Sequence, residues 1–590
     1  MRIPIHRLAK SLAVLCWLSL LWTSAHAGDN PDDAPPADRL ERVSIEGLSG
    51  TQAENVRLLL SIRRLVDQDG VTEAQIRFRH AQAEAEIAEA LQPFGYYHSS
   101  VDAQLEQDGA SFRATYRISR GKPTRVRELD IRIGEQQTLA SRFPLATGDI
   151  LDHRSYESGK NDITRQLRQM GYFDQRISRQ RVEVRRQDHS ARIILHFDTG
   201  TRYRFGVTEI RGSQVDERLV RRAMLYEPGE PFRQDLLNQL QRDLAETTYF
   251  SEVLVSTELS RRKDHQVPIV IELQPGRRRA YNAGVTLGTD SGIGVEGGFA
   301  FRWLNQRGHS IKAEASASQL ATRFGADYRI PDMNRRGSGY TIGVSRVRED
   351  SDSALRTTSR ATFGRFGLWS NDWQWVARLA LQRESFTVAG IEGQSDLVVP
   401  ELIVSQKRAD DIMRPRRGHS YHAELRGGAS SLGSDTSFLQ TLLRGRWILP
   451  VASDDRLLLS TSFGTTNVSR IEDLPASFRF FTGGDRTVRG FAFQALGPLD
   501  QDGQVIGGKH LFTASSEYER RFGENWGMAA FVDTGNALNR FGDDLEISTG
   551  LGFRYFSPLG PIRFDVAQTL TDSTLGERDW RIHFTVGPDL

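Results

Sequence analysis

Residues 483–493 read GGDRTVRGFAF and set a permanently charged side chain among apolar neighbours. The pair Arg489-Gly490 stands between Val488 and Phe491, two residue types that normally pack inside a protein. A buried guanidinium needs anionic partners, and its planar fork of donors matches a carboxylate bidentately. Gly490 allows a turn or a close backbone approach beside the arginine. The motif predicts a shielded ion pair whose carboxylates come from elsewhere in the chain.

Strand alternation supplies two such carboxylates, because successive side chains of a strand point to opposite faces. In LFTASSEYER (511–520), one face carries the residues Phe512, Ala514 and Tyr518, which places Glu517 on the other face. In MAAFVDTGN (528–536), one face carries Met528, Ala530 and Val532, and the other carries Phe531, Asp533 and Gly535. We expect Arg489 to meet Glu517 and Asp533, with Val488 and Phe491 packed on the wall near Phe531. Two interpretations stay open: the pair only stabilises the fold, or the function depends on the loop that it holds.

Motifs that would indicate an enzyme lack their context. GIGVEG (292–297) matches a dinucleotide-binding pattern, but the strand-like VEGGFAFRW overlaps its end where a helix is required. TDSGIG (289–294) has no histidine and aspartate partners arranged for a serine nucleophile. The 13 histidines are scattered without metal-ligand spacing. We therefore expect no catalytic residue, no cofactor and no metal site.

Composition and the N-terminal segment indicate export. The 590 residues carry a net charge of only +2, which gives no sign of nucleic-acid binding. Residues 1–27 combine a basic start, a short apolar run and small residues Ala25 and Ala27, as in a secretory signal peptide. A membrane anchor is the alternative, although the apolar run is short for a span. The one cysteine, Cys16, lies inside this segment, and the acidic, Pro-rich residues 28–40 are interpreted as a flexible linker.

An internal repeat fills residues 41–277. The predicted units are 41–122, 123–203 and 204–277, each with the order β-α-α-β-β. They align on an aromatic position and on a glycine, namely Tyr96, Tyr172 and Tyr249 and then Gly121, Gly200 and Gly276. The tyrosine after the second helix is expected to plug the helix–sheet core. Three unrelated small α+β domains are the alternative, against which the regular spacing argues.

Residues 278–590 change to short alternating segments separated by Gly, Asn, Asp and Ser. GPIRFDVAQ, for example, puts Ile562, Phe564 and Val566 opposite Arg563 and Asp565. This pattern is typical of a transmembrane antiparallel β-barrel, and at roughly 20 residues per strand and loop the segment predicts about 16 strands. A soluble β-sandwich is the main alternative. The expected fold is thus a barrel of about 16 strands preceded by three α+β domains.

The two terminal strands of this barrel should form a weak seam. The first, YNAGVTLG (281–288), is rich in glycine, and the last, around 580–587, is short and is followed by Pro588. Alternation places the following side chains toward lipid: Ala283, Val285, Leu287, Ile582, Phe584 and Val586. The register between these strands cannot be read from the sequence. A seam closed by few backbone bonds would be able to open.

The three repeats resemble polypeptide-transport-associated (POTRA) domains. With VRGF (488–491), FVDTG (531–535), the glutamate at Glu517, RRGHSYHAEL (416–425) and GFRYFSPLGPIRFDVA (552–567), the chain resembles the BamA/TamA superfamily of outer-membrane assembly barrels. In that family, the loop between the eleventh and twelfth strands carries Val-Arg-Gly-Phe/Tyr into the lumen. Three POTRA domains and the terminal GPDL indicate the TamA branch, the translocation and assembly module.

This resemblance implies a bacterial outer-membrane protein with periplasmic POTRA domains and no enzymatic activity. It would assist the insertion or translocation of outer-membrane proteins such as autotransporters through the lateral seam, and it would also take part in phospholipid transport between membranes. Its implied partners are a TamB-like inner-membrane-anchored periplasmic protein bound through POTRA 1, unfolded outer-membrane substrates and outer-membrane lipid. One alternative is a two-partner secretion pore that exports a soluble substrate, and another is a barrel enzyme such as a lipase, for which no nucleophile was found.

Overall fold

A computed structural model describes residues 38–66, 68–411, 414–557, 560–571 and 580–587. The predicted signal peptide, residues 28–37 of the predicted linker and Pro588 lie outside the described residues. The chain divides into two compact units. One holds the described residues up to Arg168 together with Tyr172–Gly200, and the other holds Gln169–Gly171 with the described residues from Thr201 onward.

The first repeat is a helical layer on a three-stranded sheet. Its elements are β1 (Arg39–Glu46), α1 (Gly50–Leu59), α2 (Glu73–Leu91), β2 (Ser100–Asp108) and β3 (Ser111–Ser119). Helix α2 begins at a capping box, in which Thr72 and Gln75 each bond the other's backbone N–H. Strand β3 lies between β1, to which it is parallel, and β2, to which it is antiparallel. Because β1 begins at Arg39, the last two residues of the predicted linker belong to the sheet.

The other two repeats have the same sheet order. The second contains β4 (Arg125–Arg132), α3 (His153–Gln169), β5 (Arg176–Arg185) and β6 (Ser190–Asp198). The third contains β7 (Arg204–Arg211), α4 (Glu217–Arg221), α5 (Gln234–Glu246), β8 (Phe250–Thr257) and β9 (Gln266–Pro275). In the second repeat a 3₁₀ helix, Gly134–Arg142, replaces the first predicted α-helix. The prediction of three α+β domains is confirmed.

The aligned tyrosines do not all plug a core. Tyr96 and Tyr172 are buried in the first and second repeats. In the third, Phe250 is the buried aromatic residue, and Tyr249 is half-buried with its hydroxyl donating to the carbonyl of Gly308, 2.9 Å away. Gly308 lies in a turn of the barrel, so this tyrosine fastens the third repeat to the barrel rather than filling its own core.

The remaining strands form a closed antiparallel barrel of sixteen strands among the described residues, which confirms the predicted fold. In chain order they are β10 (Arg279–Gly288), β11 (Gly292–Phe301), β12 (Ser310–Ser318), β13 (Ala321–Pro331), β14 (Gly339–Asp350), β15 (Ala354–Leu368), β16 (Gln374–Val388), β17 (Ile391–Ala409), β18 (Gly418–Gly428), β19 (Phe438–Pro450), β20 (Asp455–Val468), β21 (His510–Phe522), β22 (Trp526–Leu538), β23 (Glu546–Ser557), β24 (Gly560–Thr569) and β25 (Trp580–Val586). In the described part of the chain, no helix has the length and apolar character required to cross a membrane.

The third repeat lies at one end of the barrel, called here the repeat end; the opposite end is the far end. Besides Tyr249, the backbone N–H of Asp216 donates to the carbonyl of Gln306 at 2.8 Å. Arg336, in the turn between β13 and β14, pairs with the buried Asp243 of α5. These bonds attach the third repeat to the turns that follow the second and fourth barrel strands. Strand β10 starts at the repeat end, so the β10–β11 turn lies at the far end.

The connection between the eleventh and twelfth barrel strands folds back against the inner wall. This segment, residues 469–509, is called the lumen loop. Its apolar side chains Ile471, Leu474 and Phe478 are buried against inward-facing Val399 and Phe438 of β17 and β19. Backbone bonds between Phe480 and Gly508 and between Thr482 and Leu496 brace the loop internally. The barrel interior therefore contains packed protein beside the wall.

Candidate functional site

Arg489 lies near the middle of the lumen loop, and its guanidinium is held by three carboxylates. Its Nε and Nη2 donate to the two oxygens of Asp533, at 2.8 and 2.9 Å. Its Nη1 donates to Glu517 at 2.7 Å and to Asp565 at 3.2 Å. These acceptors stand on β21, β22 and β24, so one side chain ties the loop to three strands. The structure places Arg489 against both carboxylates that strand alternation indicated, and adds Asp565.

Close packing surrounds this ion pair. The guanidinium carbon of Arg489 lies 3.3 Å from the centroid of the Phe531 ring, so the cation stacks on that ring. Gly490 is required for the approach, since a Cβ there would lie 2.6 Å from Cβ of Ser548 on β23. At Gly535 a Cβ would lie 2.5 Å from the carbonyl oxygen of Phe512. Both glycines thus allow neighbouring backbones to come together.

The apolar residues around Arg489 pack within the loop itself. Val488 and Phe491 are buried and form a small cluster with Leu496. The guanidinium of Arg489 stacks on Phe531, and the packing of Val488 and Phe491 near that ring stays a prediction. The loop therefore presents its arginine to the wall and holds Val488, Phe491 and Leu496 together.

A second arginine completes the cluster from the opposite side. Arg554 on β23 is fully buried and donates to Glu517 at 2.7 Å and to Asp565 at 2.5 Å. Arg489 and Arg554 therefore share two carboxylates, each of which receives one donor from each arginine. Nε of Arg554 is buried without a hydrogen-bond partner among the described residues, whereas the remaining donors of the two arginines are bonded as described. A network of opposite charges that is shielded from water is costly to break by removing a single member. These five residues, Arg489, Glu517, Asp533, Arg554 and Asp565, are called the lumen cluster.

Sequence reasoning missed Arg554 and the role of Asp565. The alternation of GPIRFDVAQ put Asp565 on the polar face, but it did not show that β24 lies within reach of the loop. For Arg554, the same alternation in GFRYFS places it opposite Phe553 and Tyr555, which gives a signal that could have been used. Their connection follows from the register of β23 and β24, in which Gly552 pairs with Asp565 and Arg554 with Arg563.

The lumen loop also contacts both strands that border the seam. On the last strand, Nε2 of His583 donates to the carbonyl oxygen of Arg489, 2.6 Å away. On the other side, the N–H of Asp485 donates to Asp290 in the β10–β11 turn at 2.6 Å. Burial and the neighbouring Asp290 carboxylate raise the pKa of Asp485 to about 6. One loop therefore joins the two barrel edges that the seam separates.

The seam itself has almost no ladder. Strand β10 pairs with β11 over its whole length, whereas among the described residues its register with β25 contains the single pair Gly288–Thr585. Two further bonds lie beside that pair, from Thr289 N–H to the Phe584 carbonyl and from Phe584 N–H to the Thr289 hydroxyl. The overlap therefore joins the far end of β10 to the C-terminal end of β25, and the edge of β10 before Gly288 has no ladder partner within the described β25.

The seam residues chosen from the sequence lie on these strands. The side chains of Val285, Leu287, Ile582 and Val586 are exposed on the outer surface, Ala283 is exposed, and Phe584 is half-exposed beside the seam bonds. Gly288 is one member of the seam pair, and a Cβ there would lie 2.9 Å from the Ser291 hydroxyl, a side-chain end that can rotate away, and 3.9 Å from the carbonyl oxygen of Phe584. The structure brings 288 and 585 together and supplies the register that the sequence lacked.

Comparison with known families matches the parts in the same order. Residues 304–589 match the Omp85 superfamily domain, and residues 42–120 match the POTRA domain described as TamA domain 1. Residues 125–200 and 203–276 match the POTRA model described as a surface antigen variable number repeat. The three repeats are thus POTRA domains, named POTRA 1, POTRA 2 and POTRA 3 in chain order.

Curated relatives and solved structures agree with this. The outer membrane protein assembly factor BamA of Nitratidesulfovibrio vulgaris is 26% identical over 64% of this chain and 50% of the relative. The sorting and assembly machinery component 50 homolog of Mus musculus is 26% identical over 40% of this chain and 53% of the relative. The chain thus spans about half the length of these relatives.

The crystal structure of BamA from Haemophilus ducreyi lacking POTRA domains 1–3 shares the fold at a TM-score of 0.64 and 18% identity. That match covers 79% of this chain and 99% of the solved one. With an Omp85 barrel behind POTRA domains, the lumen-loop arginine between strands eleven and twelve, and these relatives, the chain belongs to the BamA/TamA superfamily of outer-membrane barrels.

Proposed function

We propose that this protein is the outer-membrane component of a translocation and assembly module, which assists the insertion of outer-membrane proteins such as autotransporters through the seam between β10 and β25. The observation that carries the proposal is the single ladder pair Gly288–Thr585 among the described residues. On the other side of each strand the ladder is extensive, with β10 paired to β11 and β25 paired to β24 along their described lengths. The seam is the weakest line in the wall.

The edge of β10 at the seam, unpaired among the described residues, can accept a strand from another chain. A strand without a partner presents a row of N–H and C=O groups, and an extended segment of another chain adds to such an edge by main-chain hydrogen bonds. In lipid the incentive is strong, because an unsatisfied backbone polar group costs several kcal/mol there. An unfolded substrate strand that pairs with β10 would satisfy the backbone groups of β10 and its own. Further strands of the substrate would then add to it in turn. No chemical step is required, so the role is that of an assembly factor rather than an enzyme.

The TamA-type assignment rests on the first repeat. Residues 42–120 match the POTRA model described as TamA domain 1. Two further POTRA domains follow it, so three POTRA domains precede the barrel. We place the barrel in the bacterial outer membrane with the POTRA domains in the periplasm, so that the far end faces outside. POTRA 1 would then bind a TamB-like periplasmic protein. The complex of the two proteins would connect the membranes and would also serve the movement of phospholipid between them.

The lumen cluster would hold the loop in place while the seam works. Arg489 ties the loop to β21, β22 and β24, and His583 ties it to β25. We propose that this lock keeps the last strand positioned, so that opening breaks the pair Gly288–Thr585, the bonds beside it and the contact of Asp485 with Asp290 in the β10–β11 turn.

The experiment is a disulfide at the seam. Directly opposed residues of an antiparallel pair lie about 4.5–5.5 Å apart at Cα, within the range that a disulfide spans. The only native cysteine, Cys16, lies in the predicted signal peptide, so Gly288→Cys with Thr585→Cys introduces one defined pair. We expect the oxidised variant to keep a folded barrel and to lose substrate insertion in reconstituted membranes, and reduction to restore it.

A matched control uses the neighbouring ladder. Val285→Cys with Val295→Cys joins β10 to β11 at an opposed pair, with the same strand and the same chemistry. This control should insert substrate whether oxidised or reduced. Full insertion by a quantitatively oxidised seam variant would exclude lateral opening between β10 and β25.

A further inference from the structure

The outer surface of β14 to β17 changes from apolar to charged within one step. One cross-strand row consists of Val344, Ala361, Leu381 and Val398. The adjacent row toward the far end consists of Arg346, Ser359, Arg383 and Asp396. Val344 and Leu381 are among the exposed apolar side chains, which shows that this face points outward. A boundary of this kind marks the level where the hydrocarbon of a bilayer meets the headgroups.

The side chains of two arginines at this boundary have no partner within the described part of the chain. Arg383 is paired with Asp396 through bonds of 2.7 and 2.8 Å. Arg346 and Arg348 are exposed, and neither side chain forms a hydrogen bond or ion pair with another residue that the structure describes. They stand two positions apart on one face of β14, about 7 Å from each other. Hydroxyl groups lie directly across from them, with Ser359 opposite Arg346 and Thr357 opposite Arg348.

Apolar grooves lie immediately below these arginines. A shallow groove of about 620 Å³ is lined by Arg346 and the paired Arg383 and Asp396 at its polar end, and by Phe324, Val344 and Leu381 along its wall. A second groove, of about 580 Å³, lies further toward the repeat end along the same strands and is lined by Phe363, Leu379 and other apolar residues. The small outward side chains of Ala361 and Ala377 form the floors of the two grooves between larger neighbours.

We propose that Arg346 and Arg348 bind the phosphate group of a lipid in the leaflet at the far end, with its acyl chains lying in these grooves. A guanidinium donates bidentately to phosphate, and two of them on one face form a site for a doubly charged group. Ser359 and Thr357 add hydroxyl donors at cross-strand distance, about 5 Å away. The groove below selects a lipid over a free anion, because a soluble phosphate has nothing to place there. The outer leaflet follows from the proposed orientation, whereas the site itself does not depend on it.

The test uses the full chain in phosphatidylcholine nanodiscs that contain either bisphosphorylated lipid A or its dephosphorylated form. Native mass spectrometry after release from the nanodisc measures which lipid stays bound. The variant Arg346→Gln with Arg348→Gln removes both charges. The matched control, Arg323→Gln with Arg329→Gln, removes two charges from the adjacent strand β13, where alternation relative to the exposed Phe324 turns both side chains to the lumen.

We expect wild type and control to retain the phosphorylated lipid, and the Arg346/Arg348 variant to retain about tenfold less, the effect of roughly 1.4 kcal/mol of lost binding. Equal retention of the dephosphorylated lipid would show that the phosphate is not recognised. Displacement of the lipid by inorganic phosphate alone, or an equal loss in the lumen control, would overturn the site as well. The Arg346/Arg348 variant has no side-chain hydrogen bond or ion pair to lose in the described fold, so a failure to fold would itself contradict the assignment.

Discussion

The carbonyl oxygen of Arg489 lies 2.6 Å from Nε2 of His583, so the loop that carries the lumen cluster also holds the last strand of the barrel. The same loop reaches the β10–β11 turn, where the Asp485 N–H bonds to Asp290 at 2.6 Å. The seam is therefore closed less by its own ladder than by a loop that bridges its two sides. Several expected outcomes depend on this arrangement.

Arg489→Ala should destabilise the barrel. It leaves Asp533 with the Ser515 hydroxyl as its remaining side-chain donor among the described residues, and it removes one of two arginines from Glu517 and Asp565. Breaking a buried ion network by removing one member costs about 3–5 kcal/mol, and less where the lumen is hydrated. The measurement is the temperature at which the folded barrel loses its fast migration on a denaturing gel.

The control for this change lies three residues away. Arg486 is an exposed arginine of the same loop, outside the lumen cluster, and Arg486→Ala should leave that temperature almost unchanged. Wild-type stability and insertion in Arg489→Ala would show that the cluster contributes neither to the fold nor to the function.

His583→Phe should loosen the last strand. The phenyl ring retains the ring volume but leaves the buried carbonyl of Arg489 without its donor, at a cost of about 1–3 kcal/mol. We expect the disulfide between residues 288 and 585 to form more slowly in this background. His583→Gln, whose amide N–H can reach the same oxygen, should restore the rate, and equal rates in all three proteins would refute a tie through the imidazole.

The contact between the loop and the β10–β11 turn should weaken as pH rises. The pKa of Asp485 is raised by burial and by Asp290 to about 6, from a usual value near 3.8. A group with a raised folded-state pKa stabilises the fold fully below its usual value, and this contribution is lost as pH rises through about 6. Arg486 and His583 oppose the shift, and it persists despite them.

Hydrogen exchange of the 289–291 turn reports this directly. Protection should fall between about pH 4 and about pH 6, after correction for the intrinsic rate. Asp485→Asn should abolish the pH dependence, because the amide does not ionise. A pH dependence that survives in Asp485→Asn would assign the effect to another group.

POTRA 1 should be required for the periplasmic partner. Its sheet has the order β1-β3-β2, so β2 is an edge strand to which an extended segment of a partner can add. Deletion of residues 41–120 should abolish capture of a TamB-like protein and leave a folded barrel. The variants Ala103→Pro and Gln104→Pro are tested separately, because only alternate N–H groups of an edge strand point outward. The variant that removes an outward N–H should weaken capture of the partner. Capture by the deletion variant would refute the assignment.

How much the sequence predicted depends on the kind of information. Strand alternation is a local property, and it predicts that Glu517, Asp533 and Phe531 share the inner wall; in the structure these three side chains contact Arg489. It was silent on Arg554 and His583, because their roles arise from which strands are neighbours and at what register. The same limit applied to the seam, since the pair Gly288–Thr585 is set by the stagger of the closed barrel rather than by either strand.

The repeats show a second limit. Alignment put Tyr249 in the same role as Tyr96 and Tyr172, but POTRA 3 borders the barrel, and its tyrosine bonds to Gly308 there. The periodic pattern predicts what each unit shares, and it does not report what a unit packs against. Likewise the first helix of POTRA 2 is a 3₁₀ helix, a difference that the shared pattern could not reveal.

The lumen cluster lies entirely to one side of the seam, and this gives the barrel a mechanical asymmetry. Strands β21 to β24 are cross-braced by two arginines. The inward face of β10 and β11 instead pairs glycines with Asn282, Thr286 and Glu296, and among the described residues these side chains form no ion pair with a neighbouring strand. One side of the opening is therefore rigid and the other compliant. When the seam opens, β10 and β11 should move outward together while β25 stays attached to β24 and the lumen loop. An incoming strand would then meet a flexible edge that can adjust to it.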